Sequence, residues 1–241
     1  MKTSSFFFKT VLDMRKNYKI DFDKKHLIIK DGENVILVDT GSPITIHKSN
    51  SLEFAGTTYS TSTSAIGNTI EGLQSMSGVG FTTLMGLDIL SNYNIILDYA
   101  NEEAVFMSLD EPIPAGTQIP MQIMMGAIII PVRVAGSEHR MILDTGATYS
   151  YIKAAITADL TPVDTITDFS PLVGGEFTTP IFEIESAIEE VKFTCCYGNL
   201  PSTIEMMIRL MGVDGVIGYD LLASSKLMIC AQDSSLLILH S

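Results

Sequence analysis

Tryptophan is absent from the 241 residues, cysteine occurs three times and histidine four, and Lys and Arg together number 15 against 28 acidic side chains. Each shortage removes a class of function. Cys195 and Cys196 are adjacent and Cys230 stands alone, which is neither an even disulfide framework nor a metal pattern, so reduced and partly buried thiols are expected. His26, His47, His139 and His240 are scattered without ligand spacing, and neither a metal nor a cofactor is predicted. The net charge of −13 comes without any basic stripe or Lys/Arg cluster. It argues against nucleic acid and anionic membranes as partners, and its plainest reading is solubility. No apolar run approaches a membrane span, and the Phe6–Phe8 run is too short for the apolar region of a signal peptide. A cytoplasmic protein is expected. A hydrophobic content of 46% suffices for one large core or two small ones and excludes disorder.

What the chain does have is an internal repeat. His26–Ser42 (HLIIKDGENVILVDTGS) and Ile130–Ala147 (IPVRVAGSEHRMILDTGA) share one plan: an apolar strand, a turn around Gly32 or Gly136, a second apolar strand, then Asp-Thr-Gly. Turn residues between two β-rich runs predict a hairpin, so each acid follows the second strand of one. The likeness resumes between Thr69–Leu90 and Thr203–Leu222, each with Thr-Ile-Glu, Gly-Val, two apolar residues, Gly, any residue and Asp. Tyr93–Phe106 and Leu227–Ile238 each read as strand, polar turn and strand. The repeat pattern is that of a duplication, with residues 1–112 and 113–241 as two β-rich lobes joined near Glu111–Thr117, whose Pro and Gly suit a linker.

An ionised carboxylate beside an apolar strand is costly unless it is hydrogen-bonded or neutralised. Two Asp-Thr-Gly triplets would arise by chance in such a chain on the order of once in a thousand, and the shared context makes chance a poor account of them. With these loops, and with Leu84-Met85-Gly86 and Val216-Ile217-Gly218 downstream of them, the chain resembles the pepsin/retropepsin clan of aspartic proteases over nearly its whole length. Each half is closer in length to a retroviral protease subunit than to a pepsin lobe. The resemblance implies a mostly β, bilobal, pepsin-like fold, with two pseudo-twofold-related β-barrel-like lobes, a few short helices, and an active site between the lobes.

It further implies Asp39 and Asp144 as the catalytic pair of an aspartic endopeptidase. One member would take a proton from water while the other hydrogen-bonds the substrate carbonyl. The supporting residues would be Thr40, Gly41 and Ser42 in one loop and Thr145, Gly146 and Ala147 in the other, with the threonine hydroxyls bonding across to the opposite loop. Ser42 and Ala147 differ, so a Ser42 hydroxyl given to Asp39 is expected to bias Asp39 towards the ionised role. Asp88 and Asp220 are expected to cap short helices, and the methionines of Met206–Met211 to lie in the core.

The second half carries about 35 extra residues between Asp144 and Phe193, including two β-prone runs around Gly174-Gly175. They read as a single flap with Val173, Gly174 and Gly175 at its tip, closing over an extended peptide. The implied partner is a peptide or unfolded protein, and the protein is expected to act as a monomer. Pro43 and the trimmed first lobe keep a second reading open: a peptide-binding module in which Asp39 is misplaced and cleavage is weak or absent. A glycosidase also uses two carboxylates, but aromatic sugar platforms are missing.

Overall fold

The computed structural model describes residues 14–240. Within it, His26–Asp31 pairs antiparallel with Asn34–Val38 around Gly32, whose φ of +59° is the left-handed conformation that glycine adopts at little cost. Ala127–Val134 and Ser137–Leu143 form the same hairpin around Gly136. Each second strand ends on the residue before an aspartate. A third strand then lies parallel to it: Thr83–Met85 beside Asn34–Val38, and Gly215–Ile217 beside Ser137–Leu143. Parallel neighbours need a long crossover, and each crossover carries a helix, α1 (Ile70–Ser77) and α3 (Ser202–Leu210), with the short helices α2 (Leu87–Leu90) and α4 (Tyr219–Ser224) after the parallel strands. Thr69 caps α1 by accepting the Gly72 N–H at 3.3 Å.

These pieces build two sheets that repeat one order. The five-stranded sheet runs Asp21–Asp23, His26–Asp31, Asn34–Val38, Thr83–Met85, Ile46–His47. The eight-stranded sheet begins with the equivalent five, from Gln122–Met124 through Ser150–Ile152, and adds Val191–Asn199, Gly175–Ile188 and Asp164–Ser170. At the corresponding place the first half has only the short hairpin of Ser51–Phe54 and Thr57–Ser60.

A six-stranded sheet joins the halves. Arg15–Lys19, Glu103–Met107 and Asn94–Asp98 come from before the linker; Leu227–Cys230, Ser235–Leu239 and Gly116–Pro120 come from after it. The central antiparallel pairing runs from Asn94 opposite Cys230 to Leu97 opposite Leu227. The Asn94 side chain reinforces it by accepting the Ala231 N–H at 3.1 Å. Part of the N-terminal lead is thus a strand, Arg15–Lys19, and residues 1–13 lie outside the described part. The largest apolar cluster includes Phe54, Phe106, Leu143, Ile217 and Leu236, and so belongs to both halves. Three smaller clusters stand apart, one around Leu37, Leu73, Phe81 and Leu84, another around Tyr151, Leu200 and Ile204, and a third around Ile96, Val105 and Met228 on the joining sheet.

Some expectations are corrected here. On α3 the buried residues are Ile204 and Ile208, whereas Met206 and Met207 are 66% and 49% exposed. Ile204 and Ile208, four residues apart, share the buried face, and the two methionines fall off that face. Asp88 and Asp220 are not N-caps; Gly86 and Gly218 hold those positions. Asp88 instead accepts the Thr45 hydroxyl at 2.6 Å, and Asp220 accepts the Cys196 N–H at 2.9 Å. All three cysteines are free, and burial pushes their thiols up, away from the reactive thiolate. No helix among the described residues is long and apolar enough to cross a membrane.

Candidate active site

The two Asp-Thr-Gly loops meet and hold each other reciprocally. The Thr40 N–H donates to Thr145 Oγ1 at 3.0 Å, and the Thr145 N–H donates to Thr40 Oγ1 at 3.0 Å. Each hydroxyl then donates onward, Thr40 to the Leu143 carbonyl at 2.8 Å and Thr145 to the Val38 carbonyl at 2.7 Å. Both threonines are 1% exposed, so all four bonds are shielded from water, where leaving one unmade would be expensive. The loops are also tied to the strands beneath them. The Asp39 N–H donates to the Met85 carbonyl and the Asp144 N–H to the Ile217 carbonyl, both at 3.0 Å.

This places the carboxyls face to face across the loops. A Cβ built on Gly41 would lie 2.3 Å from Asp144 Oδ2, and one built on Gly146 would lie 2.7 Å from Asp39 Cγ. Any side chain there would drive the acids apart. Oδ1 of Asp39 accepts the Gly41 and Ser42 N–H groups at 2.9 and 3.0 Å, and Oδ1 of Asp144 accepts the Gly146 N–H at 2.8 Å. Pro43 does not disturb this arrangement; it packs against the turn at Gly126, where a Cβ would be 2.4 Å from its own.

Both aspartates keep some surface at the cleft floor, yet protein crowds the carboxyls closely enough that burial is the leading cause of a raised proton affinity in each. The neighbouring Asp144 charge pushes Asp39 up further, while the loop amides pull both carboxyls down. Two carboxyls in this setting titrate as a unit and retain one proton above the ordinary carboxylate range. Among the described residues no group of three His, Cys, Asp or Glu side chains is placed to hold a metal ion.

Above the acids lies a cavity of about 200 Å³. Its walls come from two of the smaller apolar clusters, with Leu37, Leu73 and Leu84 from one and Leu200, Ile204 and Val216 from the other. The hairpin of Asp164–Ser170 and Gly175–Ile188 covers it. The residues of that hairpin that reach the cavity are Asp168 to Leu172 and Phe177. Val173, Gly174 and Gly175, expected to form the covering tip, shape its turn instead and do not line the cavity; Gly174 has a φ of +78°.

Ser42 also departs from expectation. Its hydroxyl donates to the Ile44 carbonyl at 2.8 Å, and only its backbone N–H reaches Asp39. Ala147, its counterpart, lines the cavity.

Several site residues escaped the sequence reading. Thr45 and Ser150, each six residues after an aspartate, accept the N–H of Gly86 and Gly218 at 3.0 and 3.1 Å. That shared offset was a signal in the repeat. Tyr151 donates its hydroxyl to Asp168 and so ties the covering hairpin to the body. His26 lies in the cavity wall. Neither of the last two has a local sequence signature.

No family model matches the chain, and no curated protein matches it. Among solved structures, it is similar to the solution structure of the simian foamy virus (mac) protease, at 15% identity and a TM-score of 0.30, over 39% of this chain and 90% of that one. By its own element order, the chain is a mostly β protein with a few short helices.

Proposed function

We propose that the chain is an aspartic-type endopeptidase with a bilobal, pepsin-like fold, in which Asp39 and Asp144 share one proton and activate a water between them. The observation that carries this reading is the reciprocity of the loops. Two crowded, mostly desolvated carboxyls, each packed against the other loop's glycine and each fed by its own loop amides, form an arrangement that folding alone does not require and that costs stability. The ionised member takes a proton from water as the oxygen attacks the peptide carbonyl. The protonated member donates its hydrogen bond to the carbonyl oxygen as charge develops there, giving a tetrahedral diol without a covalent enzyme intermediate. Breakdown returns a proton to the leaving amine.

The cavity accounts for the substrate. Its apolar walls suit apolar side chains on either side of the cut, and the covering hairpin offers main-chain groups to an extended strand while excluding water. The substrate is a peptide or an unfolded segment, since a folded helix would not fit beneath the hairpin.

The test is digestion of a mixed peptide library between pH 3 and 7 with and without pepstatin, with products mapped by mass spectrometry. Cleavage between apolar residues that pepstatin abolishes is the expected result. Peptides that bind without being cut would assign the chain to the binding-module class.

A further inference from the structure

Besides Ser42 and Ala147, the reciprocity of the two halves breaks down at a side chain beside the acids. Asp23 pairs with His26 across a turn through Lys24 and Lys25, and Met124 pairs with Ala127 across a turn through Met125 and Gly126. All four turn residues have positive φ, at 49°, 69°, 52° and 76° in that order. His26 and Ala127 therefore hold equivalent places, each opening the strand that pairs with the one leading to an aspartate. One is an imidazole and the other a methyl group.

The imidazole is only 6% exposed, and its Nδ1 has no hydrogen-bond partner. It shares the cavity wall with Asp144 and Gly146. Resting on the reading of Asp39 and Asp144 as a working pair, we propose that His26 is the positioning residue that makes the two acids unequal, drawing the negative charge to Asp144 and leaving the shared proton on Asp39.

The groups around the ring decide its charge. Asp23, Lys24 and Lys25 belong to its own turn, Asp144 and the Gly146 backbone to the second loop, and Asp39 to the first. Asp168 and Glu176 face it from the covering hairpin. The lysines are engaged elsewhere: Lys25 Nζ lies 5.0 and 5.2 Å from the ring centres of Tyr149 and Tyr219, and Lys24 donates to the Ser77 carbonyl at 3.3 Å. Burial lowers the proton affinity of the imidazole, while the Gly146 backbone, Asp168, Asp144 and Asp23 pull it back up. The ring is thus a weaker base than a free imidazole, and it is its cationic form that acts on the pair. That charge favours ionised Asp144; nothing equivalent acts on Asp39 from Ala127.

The test is carboxyl 13C NMR of the full chain, with Asp39 and Asp144 assigned through Asp39→Asn and Asp144→Asn, comparing wild type with His26→Gln. Glutamine keeps a polar side chain of similar reach but cannot become a cation, so it would restore a packing role and not an electrostatic one. The expected result is that the more acidic step of the pair moves up by roughly half a unit or more in His26→Gln. If peptides are cleaved, the acid limb of kcat/KM moves with it. By reciprocity, Asp144→Asn lowers the pKa of the His26 ring by more than Asp39→Asn does, and this 15N measurement decides the matter alone if His26→Gln does not fold. Superposable carboxyl titrations, or equal effects of the two Asn variants on the ring, would overturn the proposal. Neither readout needs turnover. A chain that shows the shift but cleaves nothing upholds the role of His26 and refutes the endopeptidase reading.

Discussion

At the scale of residues, four buried hydrogen bonds hold the two loops together and two crowded carboxyls face each other across them. Thr145→Val removes a hydroxyl without changing shape and leaves the Thr40 N–H and the Val38 carbonyl unpartnered in a dry site. It should cost about 2 to 4 kcal/mol in urea denaturation. The acids act in the opposite sense. Because burial raises their folded pKa, the native state holds more protons than the unfolded chain, and stability falls as pH rises from the ordinary carboxylate range through the raised values. Asp39→Asn should therefore stabilise the protein at pH 7, on the order of 1 to 2 kcal/mol, with the gain vanishing near pH 3; thermal unfolding at the two pH values checks this. The meeting of the two acids and their glycines was legible because the repeat displays one Asp-Thr-Gly in each half. The Ser42 hydroxyl was not, since its partner is set by the local turn, where the Ile44 carbonyl lies two residues on. His26 was illegible for another reason: what matters about it is its proximity to Asp144, 118 positions away.

Elements show which parts of the plan are shared and which are added. The opening hairpins, the parallel strands behind the loops and the helices beside them recur in both halves, and alternating apolar runs with turn residues predicted most of them. The covering hairpin is matched in the first half only by the short hairpin of Ser51–Phe54 and Thr57–Ser60, and its two runs around a Gly-Gly pair were visible as a hairpin. Its reach was not visible, because a hairpin's register fixes its turn but not what its strands lie upon. The structure brings Asp168 to Leu172 to the cavity and leaves the glycines outside. Replacing residues 170–175 with a two-residue turn removes cover without touching the main apolar cluster. The melting temperature should move by less than about 4 °C, while kcat/KM falls at least about 10-fold as the cleft opens to water. On α3, apolar residues fall on more than one side, and the i, i+4 pair Ile204 and Ile208 is buried while Met206 and Met207 are exposed.

For the whole molecule the joining sheet is decisive. Its strands change once from the first half to the second, where Asn94–Asp98 pairs with Leu227–Cys230, and the main apolar cluster draws on both halves. Residues 1–112 and 113–241 expressed separately should each lack a cooperative unfolding transition, and mixing should restore one, as followed by circular dichroism and near-ultraviolet signals. The repeat made two similar halves legible, but not this union, because Asn-Ile-Ile-Leu and Leu-Met-Ile-Cys name no partner strand. The union also explains why the site exists only in the intact chain: each half supplies one acid and one threonine of the grip. The measurement that bears most directly on the central claim is the rate of peptide cleavage against pH for wild type, Asp39→Asn and Asp144→Asn. If the acids work as one unit, wild type gives a bell-shaped profile and each single variant loses at least about 1,000-fold across it. A variant that keeps a substantial fraction of the wild-type rate at any pH would show that one carboxyl suffices, and would contradict the account.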